Sequence, residues 1–179
     1  MILRPNTNEY APYYEPYLKL VPDGDILDIL TLEEKETVAM LKDLTNEQAE
    51  FRYDSGKWSI KEVIGHLVDT ERIMGYRLLS IARGETAPLP GFDERAYVEQ
   101  ALFDQMALEE LLNQFSISRQ ATVLLLKSLH KEAWLRRGKA NGFEVTPRAI
   151  AYIIAGHERH HRQVIKERYL QADGYPSKP

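Results

Sequence analysis

Four stretches of this chain repeat their apolar residues at intervals of three and four, and no stretch alternates apolar and polar residues long enough to build a sheet. That pattern restricts the fold to packed helices. A chain of 179 residues can bury a sizeable core in one domain, and the usual size of domains argues against two. The expectation is an all-α, four-helix bundle forming a single domain over residues 1–179, with an extended Tyr- and Pro-rich N-terminal leader.

Breakers and caps set the expected boundaries. Leader residues Tyr10, Tyr13, Tyr14 and Tyr17 are expected to pack over the bundle, and the first helix runs from near Asp23 to about Leu44. The second opens at "SIKE", where Ser59 and Glu62 can cap each other's amides, and stops at Gly84. Pro88, Pro90 and Gly91 then impose a loop over 85–95. A third helix is expected from Asp104 as its N-cap, with His130 near its end as a charge facing the helix dipole. A connection over 137–145 leads to "TPRA", in which Thr146 caps and Pro147 sits at the first helical position of a helix reaching about Leu170. The loop over 85–95 and this connection are expected near the bundle ends, rimming a pocket.

The last helix carries the unusual residues, in "GHERHHRQV". At about 100° per residue, Ile150, Ile153, Ile154, Val164 and Ile165 define its apolar face, and His157 and His161 fall within about 20° of the centre. His160 lies about 80° to one side. Imidazoles in a core are costly unless something satisfies them, and a pair at i and i+4 can converge on one ion. His66, in "GHLVDTE" on the second helix, lies about 125° from the centre of its own apolar stripe, on the polar side. Helical spacing alone leaves His66, Asp69, Glu62 and Glu71 as candidates for a third ligand.

Other chemistries are set aside by what is missing. The chain has no cysteine, so a metal must be held by His, Asp or Glu. "HERHH" satisfies H-E-x-x-H, with Glu158 in the general-base position of a metalloprotease, but no histidine follows His161 to complete that site. A net charge of -4 offers phosphate backbones no general attraction, so nucleic acid is not the expected partner. No segment approaches the roughly 18 apolar residues of a membrane span, and a cytoplasmic location is expected.

Three motifs together, "KWSIKEVIGHLVDTERIMGYRLLSIARGE" at 57–85, "PLPGFDE" at 88–94 and "AYIIAGHERHHRQVIKERYL" at 151–170, resemble the DinB-like superfamily. With the leader "YYEPYLKLVPDGDIL" the likeness covers nearly the whole chain, and it is nearest to the metal-dependent type that includes YfiT-like hydrolases and bacillithiol transferases. The resemblance implies a four-helix bundle with an open three-histidine metal site and points to His66 as the ligand that joins His157 and His161. It also implies hydrolysis, or transfer or isomerisation with a low-molecular-weight thiol. His160 matches an extra histidine that is usually not a ligand, and Asp69 a position that varies.

Three neutral imidazoles leave a divalent ion its full charge, with room to activate water or a thiol. Zinc is the first expectation and nickel the second, since imidazole suits both. Glu158 and Asp69 are the candidates for orienting ligands or transferring protons, unless they simply lie on a solvated face. The partner is then a small molecule, with a homodimer expected by analogy. Two other classes fit the same residues: a metal-containing binding or stress-response protein without chemistry, and a bundle whose histidines are structural.

Overall fold

The computed structural model describes residues 2–177. Its α-helices are α1 (Glu15–Leu20), α2 (Ile26–Leu41), α3 (Asn46–Glu50), α4 (Ile60–Ala82), α5 (Glu94–Ala101), α6 (Leu108–Lys127) and α7 (Pro147–Val164). A hairpin of β1 (Gly138–Ala140) and β2 (Phe143–Val145) precedes α7. The long helices α2, α6, α4 and α7 pack as a ring, each against its two neighbours, and make the four-helix bundle.

Several boundaries follow the capping chemistry. Ser59 accepts from the amide of Glu62 at 3.0 Å, while Glu62 accepts from the amide of Ser59 at 2.7 Å. Thr146 accepts from the amide of Ala149 with Pro147 in the first turn, as expected. Asp25 rather than Asp23 caps α2. The third long helix begins later than expected: Ala107 is its N-cap, while the Asp104 side chain is committed to Ser59 and Arg52. It also ends earlier, at Lys127, so His130 lies beyond its last turn and precedes a separate 3-10 turn. Past Val164, α7 widens into a π-helical turn over Ile165–Tyr169.

Two further local elements lie outside the four expected helices. Thr45 and Gln48 form a capping box that starts the short α3. Asn141 and Gly142 both take positive φ, 52° and 81°, the geometry an Asn-Gly pair favours in a two-residue hairpin turn. The loop over 85–95 is tied to this hairpin: Leu89 donates its amide to Lys139 O at 2.8 Å and accepts from the Asn141 amide at 3.0 Å.

The leader packs along α7 through α1. Gly156 permits the approach, because a Cβ there would stand 2.1 Å from the Tyr17 carbonyl oxygen. Glu9 holds the leader at the start of α7, accepting from the Thr146 hydroxyl at 2.8 Å and pairing with Arg148.

Two hydrophobic clusters fill the bundle, one around Ile26, Leu30, Leu78 and Ile150 and the other around Leu41, Ile64, Phe115 and Ile165. Every long helix contributes to both, and between them each turns polar. The polar layer contains Glu33 and Thr37 of α2, Thr70 and Glu71 of α4, Arg119 of α6, and the His157 to Arg162 turns of α7. Arg119, 1% exposed, is its knot. Its Nε and Nη2 donate to the two oxygens of Glu71 at 2.7 and 3.0 Å, and its Nη1 donates to Glu158 Oε2 at 2.5 Å and Leu30 O at 3.0 Å. The Thr37 hydroxyl donates to the other Glu158 oxygen at 2.6 Å. One guanidinium thereby joins all four long helices.

Candidate metal centre

On the other side of the same layer, three imidazoles converge. His157 and His161 occupy successive turns of α7, and their Nε2 atoms are 3.1 Å apart. His66 Nε2 reaches His157 Nε2 from α4, also at 3.1 Å. One ring nitrogen from each of the three lies within 4.8 Å of the other two. His66 is 3% exposed, whereas its helical angle placed it on the polar side. The reason is that α4 packs against α3, α5, α6 and α7, so its polar side also faces the interior.

The surroundings hold the rings in place. Trp58 lies across His66 at 4.9 Å between centroids, and Tyr17 sets its ring edgewise to His157 at 5.5 Å. Thr70 Oγ1 is 3.4 Å from His66 Nδ1, one turn along α4. With hydrogen on Nδ1, His66 donates to this hydroxyl and leaves its Nε2 lone pair facing the other two rings. Burial lowers His66 to a pKa of about 4; burial and neighbouring imidazoles lower His161 to about 3 and take His157 well below its ordinary value. All three are neutral at pH 7.

Neutral rings in this arrangement cannot satisfy one another. An imidazole nitrogen carries either one hydrogen or one lone pair, so His157 Nε2 can make one good hydrogen bond but faces two Nε2 atoms at 3.1 Å. A cation held by His66, His157 and His161 would resolve the conflict by accepting all three lone pairs. The spacing suits one: two nitrogens about 2.0–2.1 Å from a zinc ion stand roughly 3–3.4 Å apart at angles between about 90° and the tetrahedral value.

The other candidate residues are placed as follows. Glu62 is committed to Ser59 and Arg52, and Glu71 to Arg119. Glu158 is 1% exposed with both oxygens held by Arg119 and Thr37, so it does not lie on a solvated face. Asp69 is partly exposed and pairs with Arg72 at 3.3 Å. His160 stands beside the cluster, 5.2 Å from His161 and 5.3 Å from Tyr17 between ring centroids. Among the described residues no carboxylate joins the three histidines.

A cleft of about 300 Å³ opens beside His157, with Tyr13, Tyr14, Tyr17, Thr70 and Met74 among its walls. Phe92 and Glu94 from the 85–95 loop and its exit, and Asn141 from the hairpin turn, complete its rim, so both connections border a pocket. Arg77 also lines it, a residue for which the helical pattern of α4 carried no signal beyond its spacing from His66 and Thr70. Among the described residues no helix is long and apolar enough to cross a membrane.

Comparison with known proteins adds four findings. The sequence pattern of the DinB superfamily matches residues 29–165, from early in α2 to the end of the regular part of α7. A protein of Oceanobacillus iheyensis named "putative metal-dependent hydrolase" is 28% identical over 117 residues, which is 61% of this chain and 61% of that relative. The match therefore spans less than two thirds of its length. Among solved structures, YfiT from Bacillus subtilis, described as "a probable metal-dependent hydrolase with an unusual four-helix bundle topology", superposes with a TM-score of 0.69 at 18% identity, covering 92% of this chain and 90% of that one. A mycothiol-dependent maleylpyruvate isomerase superposes with a TM-score of 0.67 at 16% identity, over 89% of this chain and 66% of the other. At such identities the structural likeness speaks for the fold.

Proposed function

The chain belongs to the DinB superfamily, and from that premise we propose that it is a metal-dependent enzyme whose divalent ion is held by His66, His157 and His161. The observation that carries this reading is the convergence of three neutral Nε2 atoms that cannot satisfy one another. Zinc fits the ligand set first and nickel second. A divalent ion bound by three neutral ligands acts as a Lewis acid, able to lower the pKa of water towards about 7 or to favour the thiolate of a thiol.

The chain's own residues supply the rest. Thr70 fixes the tautomer and orientation of His66, while Trp58 and Tyr17 shield the ring faces and edges from water. Glu158 is a positioning residue, because its carboxylate anchors the His157 turn of α7 to Arg119 of α6. Asp69, on the turn after His66 and partly exposed, is the candidate for exchanging protons with solvent. The cleft beside His157 admits a small molecule. Water and a low-molecular-weight thiol are the two nucleophile classes supported, the first by the hydrolase names of relatives and the second by the mycothiol-dependent isomerase.

Metal analysis of untagged protein tests the centre. Near one equivalent of metal is expected in the wild type and far less in His66→Ala, His157→Ala and His161→Ala; equal content in all four would remove the centre. Hydrolytic and thiol-transfer assays on stripped and reloaded protein test the chemistry. Turnover that survives complete stripping would mean that the metal is not the catalyst.

A further inference from the structure

Arg77 and Arg119 are the arginines buried in the core, at 4% and 1% exposure. Arg119 is neutralised by two carboxylates. Arg77 is not: among the described residues no carboxylate comes within 4.0 Å of its guanidinium. Its contacts are a hydrogen bond donated by Nη2 to Pro90 O at 2.7 Å, a weak one from Nη1 to Met74 Sδ at 3.7 Å, and the Phe92 ring 5.9 Å from Cζ. A guanidinium offers five N–H donors in a plane, so most of this fork is uncommitted. A buried cation without a counter-charge is costly, and here it borders the cleft that also meets His157 and Thr70. Glu94 borders the same cleft but is exposed and outside pairing distance.

Helical spacing aims this cation along the metal centre's face. Arg77 is eleven residues after His66 on α4, within about 20° of the same direction and about 16 Å further along the axis. Helical side chains lean towards the N-terminus, so the guanidinium leans back towards the histidines. We propose that Arg77 is the anion-binding subsite of this cleft, and that the substrate is a small molecule carrying a carboxylate at the end opposite its reacting group. The aromatic walls of Tyr14, Tyr17 and Phe92 then cover its middle. The planar fork matches a carboxylate in two parallel hydrogen bonds.

This inference rests on the metal-centre reading, and cobalt-loaded protein separates the two. The probes are ω-mercaptocarboxylates of increasing chain length and the ω-mercaptoalcohols of matching length, titrated through the thiolate-to-cobalt absorption band. At one chain length the acid is expected to bind about tenfold tighter than the alcohol, or more. Arg77→Met should remove that preference while leaving alcohol binding unchanged, and Arg77→Lys, a point charge without the fork, should keep only part of it. No preference at any length in the wild type overturns the proposal even if the Met variant fails to fold, and so does a preference that survives Arg77→Met. Absence of cobalt uptake, or of a thiolate band with every probe, overturns the metal-centre reading instead and takes this proposal with it.

Discussion

The polar layer across this bundle contains two clusters built on the same helices and opposite in kind. Around Arg119, charges are buried but complete: every guanidinium edge meets an oxygen and both facing carboxylates are held. Around His157, the groups are uncharged but incomplete, with three nitrogen lone pairs or hydrogens in mutual conflict. Polarity inside a core therefore does not by itself mark a functional site. What sets the histidines apart is mutual conflict, and the proposed role of Arg77 rests on a different shortfall, a buried guanidinium with no carboxylate in pairing distance among the described residues.

The contrast can be broken by variants, beginning where the effect is largest. Arg119→Ala strands two buried carboxylates and should cost about 3–5 kcal/mol in urea unfolding. Replacing Arg119, Glu71 and Glu158 together by apolar residues of similar size should recover much of that loss. A triple variant as unstable as Arg119→Ala would mean that the cluster contributes more than mutual neutralisation.

Acid tests a second complete cluster. Burial alone would raise the Glu9 carboxyl, but hydrogen bonds from Arg148, the Asn6 amide and Thr146, with the Arg148 charge, outweigh it and hold the pKa at about 2. A carboxyl depressed in the folded state contributes stability in full above its unfolded value of 4.5, and loses it as pH falls through 2. The expected contribution, after solvent screening, is on the order of 1–3 kcal/mol. Glu9→Gln should flatten that part of the acid limb in stability measured against pH, and an unchanged limb would mean that Glu9 is not a source of it.

The incomplete cluster should answer differently. His157→Ala is expected to lower metal affinity by at least about a hundredfold, beyond the usual effect of losing a residue that only supports a ligand. Metal-free stability should move by no more than about 1 kcal/mol, since no charge is stranded. Competition with a chromophoric chelator and a melt of the stripped protein give the two numbers. A large loss of metal-free stability would place His157 with Arg119. The smallest effect is expected for Thr70→Val, which removes the hydroxyl beside His66 Nδ1 and should weaken metal binding about tenfold by the same assay.

Much of the bundle was legible because helix caps and apolar spacing are local. The caps at Ser59 and Thr146 stand where expected, and so does the His157 and His161 pair, because both depend on residues a few positions apart. Residues whose partners lie far along the chain were harder. His66 was misplaced by its helical angle, since that angle describes α4 against a single neighbour and α4 has several. Glu158 could be read as a solvent-facing or proton-transferring residue until Arg119, 39 positions away, closed on it. The start of α6 lies later than expected because the Asp104 side chain is taken by Ser59, at the start of the neighbouring α4, and by Arg52. The Asn-Gly hairpin, by contrast, is a local feature whose turn residues carry its geometry, although the apolar pattern around it marks only a connection.

The Arg119 knot gives the cluster beside it a particular mechanical setting. Because α4 and α7 are tied to α6 through Glu71 and Glu158, the separation between His66 and the α7 pair is set by the fold itself. Small metal-dependent domains that assemble only around their ion unfold when stripped. Under the proposed metal reading, this bundle would instead be a rigid socket, expected to keep its fold while one ion is exchanged for another.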